Sequence, residues 1–220
     1  MRKYDLVLFD MDGTLIDSLD DIMHHVNSAM RAGGYPQHSR EEIQSYVGRG
    51  VEWLIKCSLP ADIDDAAFRH TLHLFSESYT AQSSDAVKVF DGVYETLDRL
   101  VQDGYTLCVV SNKPREAVQK IADDCFAGYF GLALGPTSDI AVKPAPDMIH
   151  HALTHYACEK RRAVLVGDSD IDVLTAKNAG VDLLAATWGF RSEACLREHG
   201  ATVLVHSPQD ILAAVGTATK

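Results

Sequence analysis

Short apolar runs that end in polar residues and are followed by helical patterns constrain this chain more than any other feature. The first run is Leu6-Val7-Leu8-Phe9, too short to span a membrane and readable as a buried strand. It ends in Asp10-Met11-Asp12-Gly13-Thr14. Side chains at i and i+2 of an extended segment share a face, so Asp10 and Asp12 can enter one crevice. Gly13 lets the backbone turn tightly beside them. Two crowded carboxylates repel, and a divalent cation or a shared proton relieves that repulsion. The alternative at this point is an acidic turn that caps the next helix.

Further strands are predicted at Thr106–Val110, Gly131–Leu134, Ala163–Val166, Asp182–Ala186 and Thr202–Val205. Helical patterns alternate with them, from Pro114, over Ala145–Ala157, over Ile171–Ala179 and over Pro208–Val215. This alternation predicts an α/β fold with a doubly wound parallel sheet, in which ligands bind beyond the carboxyl ends of the strands. Residues 17–85 differ. Asp17-Ser18 can cap a helix whose apolar positions Leu19, Ile22, Met23, Val26 and Met30 run up to Gly33-Gly34. Three more helical segments follow, Ser39–Val47, Gly50–Ser58 and Asp64–Thr80, with no strand among them. Ala81–Asp85 reads as a linker, and Phe90-Asp91-Gly92-Val93 opens a helix that ends near Gly104. The expected organisation is therefore a Rossmann-like core from residues 1–16 and 86–220, with an all-helical insertion at 17–85.

The net charge of -11 argues against a nucleic-acid partner, because phosphate-backbone binding relies on a basic surface. An anionic ligand would need local compensation from a metal, a lysine or backbone amides. Cys57, Cys108, Cys125, Cys158 and Cys195 are widely spaced and form no Cys-x-x-Cys pair, so reduced thiols and a cytoplasmic location are expected. The N-terminus leads straight into the first strand without a signal-peptide pattern, and no apolar run approaches the ~20 residues of a spanning helix.

Three more polar groups fall at predicted strand ends. Ser111-Asn112 follows Val109-Val110, and Pro114 suits the first position of the next helix, so the hydroxyl and nearby amides can grip an anion or simply cap. Lys143 precedes Pro144, which biases it to an extended backbone from which a loop can aim the ammonium inward. Gly167-Asp168-Ser169-Asp170-Ile171-Asp172 follows a wholly apolar strand. A helix beginning near Asp168 would put Asp168 and Asp172 on one face, with Asp170 as a cap.

Together these residues resemble the haloacid dehalogenase superfamily. Asp10-x-Asp12-Gly-Thr, the strand-end Ser111, Lys143-Pro144 and Gly167-Asp168-x-x-x-Asp172 stand in that family's order and sheet positions. The helical insertion resembles its C1 cap. Asp12–Ser18, Ser111-Asn112-Lys113, Lys143-Pro144-x-Pro146 and Gly167-Asp168-Ser169 are most similar to phosphoglycolate phosphatases and their near relatives.

The resemblance implies a phosphatase acting on a small phosphorylated metabolite, with 2-phosphoglycolate the leading substrate. Asp10 would be the nucleophile that forms an aspartyl-phosphate, and Asp12 the general acid and base. Mg²⁺ would be held by Asp10, the backbone carbonyl of Asp12 and Asp168. Asp172 would orient Lys143 or a metal-bound water. Ser111, Asn112 and Lys143 would neutralise the phosphoryl oxygens, with Gly13 and Thr14 in the same motif. Haloacid dehalogenases lack a carboxylate at the Asp12 position, so dehalogenation is not expected. A pyrophosphatase, sugar phosphatase or nucleotidase, a phosphomutase of the β-phosphoglucomutase type, and a non-catalytic phospho-ligand binder remain alternatives. A monomer and a homodimer are both compatible with the sequence.

In the insertion, Tyr46-Val47-Gly48-Arg49-Gly50 matches the specificity-loop position of C1-capped relatives. Gly48 and Gly50 would let the backbone reach over the site, and Arg49 would pair with a carboxylate or second phosphate of the substrate; otherwise the glycines only break helices and Arg49 is solvated. His150, His151 and His155 include an i, i+4 pair but lack the other ligands of a zinc site, and read as surface or packing residues. One of His24 and His25 can face the cleft. Trp188-Gly189-Phe190-Arg191 reads equally as site lining, as a hinge or as packing.

Overall fold

A computed structural model describes residues 3–80 and 87–216. The predicted linker Ala81–Asp85 lies outside the described residues. The element order is β1 (Leu6–Phe9), β2 (Ile16–Asp17), α1 (Leu19–Gly33), α2 (Arg40–Tyr46), α3 (Val51–Ser58), α4 (Asp65–Thr80), β3 (Lys88–Val89), α5 (Val93–Gln102) and β4 (Thr106–Val110). It continues with α6 (Arg115–Cys125), β5 (Leu132–Leu134), α7 (Asp147–His155), a 3₁₀ turn (Lys160–Arg162), β6 (Ala163–Gly167), α8 (Asp170–Ala179), β7 (Asp182–Ala186), α9 (Glu193–Glu198), β8 (Leu204–Val205) and α10 (Asp210–Val215).

Six strands form one sheet in the order β5-β4-β1-β6-β7-β8, and every pairing in it is parallel. The strand alternation decides what packs on each face. Val7 and Phe9 join Leu97, Leu100, Val118 and Ile211 on one side. Leu6 and Leu8 join Met148, Ile149, Ala152 and Ala179 on the other. Both faces are thus covered by helices, as the expected doubly wound sheet requires. β1 lies between β4 and β6, where the strand order reverses, so the crevice at its carboxyl end is the switch point of the sheet.

Helices α1–α4 close around their own apolar core, which includes Leu19, Val26, Met30, Ile43, Ile55 and Phe75. The two described ends of this helical segment pair with each other: β2 and β3 are antiparallel, with Ile16 opposite Val89 and Asp17 opposite Lys88. This ribbon was not foreseen, because two-residue strands carry no periodic signal. The short α9 was also missed. Two helix starts differ from expectation. Pro114 occupies the N-cap of α6 with an extended ψ of 136° instead of its first turn. α8 begins at Asp170 and not at Asp168; Ser169 is its cap, in a reciprocal box with Asp172.

Candidate active site

The carboxyl ends of β1, β4 and β6 and the loop before α7 deliver their polar residues to one cavity. Asp10, Asp12, Ser111, Asn112, Lys143 and Asp168 all line it. Asp10 continues the β1 ladder by one residue, its N–H donating to Val166 O at 2.9 Å. Its Oδ1 accepts from Met11 N at 2.7 Å and lies 2.8 Å from Lys143 Nζ. Lys143 is buried and reaches Asp172 Oδ1 at 2.7 Å. The other oxygen of Asp172 accepts from Ser169 Oγ at 2.6 Å and Ser169 N at 3.1 Å. Asp168 accepts from Thr14 Oγ1 at 3.1 Å and from Phe190 N at 2.6 Å.

Glycines let these acids approach the backbone. A Cβ on Gly13 would lie 2.4 Å from Asp168 Oδ2, one on Gly167 2.3 Å from Asp172 Cγ, and one on Gly189 2.3 Å from Asp168 Cβ. Gly13 also takes a φ of +87°, which side chains resist.

Asp10, Asp168 and Asp172 form the only group of three or more potential metal-ligating side chains among the described residues, with ligand atoms within 4.8 Å of one another. Burial holds the Asp10 carboxyl well above its usual range; Lys143 offsets part of this, while Asp172 and Asp168 add to it. Burial, with the Asp172 charge, likewise pushes Asp168 up to about 7, against the Phe190 amide, Thr14 and Lys143. Burial opposes the Lys143 charge, but Asp10 and Asp172 outweigh it and raise its affinity for the proton. One ammonium facing three buried carboxyls leaves unbalanced negative charge, which fits a hard cation with oxygen ligands.

The predicted residues do not all work as expected. The Asp12 carboxylate lies outside the acidic group: its Oδ1 accepts from Ser18 Oγ at 2.6 Å and from Lys113 Nζ at 2.9 Å. Ser18 thus sits at the N-cap of α1 without capping it. Asp170 does not cap α8 either; it pairs with Arg49 at 3.1 Å and Arg191 at 3.3 Å. Arg49 is outside the cavity lining, half-exposed and stacked 5.5 Å over Trp53. Gly48 does line the cavity, and its carbonyl accepts from Asn112 Nδ2 at 2.9 Å. The same amide donates to Lys143 O at 2.9 Å and accepts from Lys143 N at 2.6 Å, so the Asn112 side chain braces the Lys143 loop. Thr14 spends its hydroxyl on Asp168. His25 is buried against Ser78 and Tyr79 and does not line the cavity.

Lys113, Tyr79 and Arg191 also line the cavity. Lys113 was legible only as part of its triplet, and nothing in the sequence connects Tyr79 to it. Phe190 and Arg191 resolve the reading of their segment: the first lends its amide to Asp168, and the second donates to Gln44 O at 2.6 Å and Val47 O at 2.7 Å.

A parallel sheet carrying this acidic crevice at its switch point defines a class, and sequence comparison agrees with it. Residues 7–186 match the haloacid dehalogenase-like hydrolases, and the chain belongs to that family. Phosphoglycolate phosphatase 1 of Pseudomonas aeruginosa is 32% identical over 94% of this chain and 78% of its own length. A phosphoglycolate phosphatase of Vibrio parahaemolyticus is 31% identical over 92% and 89%. A solved structure from Lactobacillus delbrueckii subsp. bulgaricus, provisionally named a phosphoglycolate phosphatase, is 32% identical, covers 98% of this chain and 100% of its own, and superposes with a TM-score of 0.92.

Proposed function

We propose that this chain is a divalent-cation-dependent phosphatase that passes the phosphoryl group of a small phosphorylated metabolite to Asp10 and then to water. The observation that carries this reading is the state of the Asp10 carboxylate. Its Oδ1 is pinned by Met11 N at 2.7 Å and Lys143 Nζ at 2.8 Å, while no partner is found for Oδ2 among the described residues. An oriented carboxylate with one uncommitted oxygen is a nucleophile: it bonds to phosphorus as the ester oxygen leaves, and water then displaces it.

Asp12 protonates the departing oxygen and takes the proton of the attacking water. The Ser111 hydroxyl, the Asn112 backbone N–H and Lys143 complement the phosphoryl oxygens. Asp10, Asp168 and the Asp12 backbone carbonyl hold the cation, for which Mg²⁺ suits the all-oxygen donor set. When bound, it neutralises charge on the phosphoryl group. Both Asp172 oxygens are taken, by Lys143 and by Ser169, which supports a role in orienting Lys143. Gly13 and Thr14 serve the site by supporting Asp168. In this reading residues 17–85 are a C1 cap over the core of 1–16 and 86–220. The names of the relatives point to 2-phosphoglycolate as the substrate.

The test is phosphate release from a panel of phosphomonoesters, with Mg²⁺ and with a chelator. Preference for 2-phosphoglycolate, lost with the chelator and in a folded Asp10→Asn, is the expected result. Near-normal turnover by Asp10→Asn would remove the covalent mechanism; isomerised sugar phosphate would favour a mutase, and no release at all a binding module.

A further inference from the structure

We infer that Lys113 and Tyr79 form the subsite for the leaving group, and that this subsite takes a carboxylate carried by that group. The inference rests on the phosphatase reading and adds which residues choose the substrate. The leaving oxygen must lie beside the acid that protonates it, Asp12, and Lys113 Nζ is 2.9 Å from Asp12 Oδ1. A carboxylate one carbon away from that oxygen would therefore fall next to this ammonium and not next to the specificity loop.

The remaining surroundings leave few other places for a second anion. The wall contributed by α1, α3, α4 and the segment after α2 is apolar, lined by Ile22, Val47, Val51, Leu54 and Phe75. Of the other cations near the cavity, Lys143 is shared by Asp10 and Asp172. Arg191 lines it, but its guanidinium is spread over Asp170 and the carbonyls of Gln44, Ser45 and Val47. Arg49 is bound to Asp170 and does not line the cavity. Lys113 is buried, faces the cavity, and contacts Asp12 and the Tyr79 hydroxyl. An ammonium carries three N–H donors, so these two partners leave one for a ligand. A neutral leaving group offers that buried donor at best an uncharged acceptor, whereas a carboxylate satisfies it with a shorter and stronger charge-assisted bond. Tyr79 belongs to α4 and Lys113 to the loop after β4, so the subsite is complete only with the helical segment over the sheet. The apolar wall excludes large polar groups, which leaves compact phosphorylated hydroxy acids as the substrate class.

The experiment compares kcat/KM for 2-phosphoglycolate with that for 2-hydroxyethyl phosphate, which is similar in size but has an uncharged leaving group. Wild type, Lys113→Met, Lys113→Arg and Tyr79→Phe are measured. Taking the ratio cancels effects shared by both esters, including any that reach Asp12. Wild type should favour the carboxylate ester. Lys113→Met should lower the ratio at least tenfold, chiefly by raising KM for 2-phosphoglycolate, with Lys113→Arg retaining part of it and Tyr79→Phe losing several-fold. If Lys113→Met fails to fold, the two milder variants read the same ratio. Hydrolysis of both esters with a ratio that Lys113 and Tyr79 variants leave unchanged would overturn the subsite while sparing the phosphatase reading. Release from neither ester, nor from any other phosphomonoester, would overturn both.

Discussion

Lys143 Nζ lies 2.8 Å from Asp10 Oδ1 and 2.7 Å from Asp172 Oδ1, so a single buried ammonium ties the end of β1 to the first turn of α8. It pairs directly with two of the three clustered carboxyls. Removing one partner from a buried ion pair costs about 3–5 kcal/mol, because the charge left behind has no water to replace it. Lys143→Met should lower the thermal midpoint of the metal-free protein markedly, and Mg²⁺ should restore part of the loss. Activity should fall by orders of magnitude, because Asp10 loses its orientation and the phosphoryl oxygens lose a counter-charge. An unchanged midpoint would show that the pairs contribute nothing to the fold.

The acidity of Asp168 makes cation binding depend on pH. Its folded-state value of about 7 lies above the ordinary carboxyl range near 4. Between those values the folded state binds the extra proton, so the metal-free protein loses stability as pH rises from about 4 to about 7. A cation must displace that proton, and its apparent affinity should climb over the same interval and level off above it. Melting curves with and without Mg²⁺ should show a larger metal-induced shift at about pH 7.5 than at about pH 5.5. Equal shifts at both would contradict the assignment of Asp168 to the cation.

Gly189 tests the same carboxylate by crowding. A Cβ there would stand 2.3 Å from Asp168 Cβ, too close for a flexible side-chain end to swing aside. Gly189→Ala should keep its secondary structure but displace Asp168, weakening Mg²⁺ binding at least tenfold by calorimetry. Gly167→Ala, which crowds Asp172 in the same way, should act instead on turnover through Lys143. Wild-type metal affinity in Gly189→Ala would show that the backbone yields there without moving the acid.

The sheet was legible because its central strands are apolar on both faces, and runs such as Leu6–Phe9 and Ala163–Val166 have no other reading. The acids were legible for a related reason, since strand ends in such a sheet converge. What was not legible depends on contacts between distant positions. Arg49 reads from the sequence either as a substrate ligand, because its segment matches a specificity-loop position, or as a solvated residue; its partner is Asp170, 121 residues away. Tyr79 sits inside an ordinary amphipathic helix, and only the approach of that helix to the loop after β4 brings it to Lys113. Asp170 looked like a cap because Ser169, the residue that does cap α8, was hidden among three acids.

The two arginines on Asp170 should therefore separate in function. Arg191 is nearly buried and joins the end of α2 to the start of α8, donating to Gln44 O at 2.6 Å and Val47 O at 2.7 Å while pairing with Asp170 at 3.3 Å. Arg49 is half-exposed, and its pair with Asp170 is partly screened by solvent. Hydrogen bonds from a charged group contribute about 1.5–3 kcal/mol each where water is excluded, so Arg191→Ala should loosen the helical segment over the sheet. The expected outcome is about a tenfold loss in kcat/KM for every phosphomonoester tested, with faster proteolysis near residues 44–50. Arg49→Ala should change KM less than about twofold, equally for 2-phosphoglycolate and for an uncharged ester, as expected of an exposed pair. A selective rise in KM for 2-phosphoglycolate in Arg49→Ala would return the carboxylate to the specificity loop and remove it from Lys113.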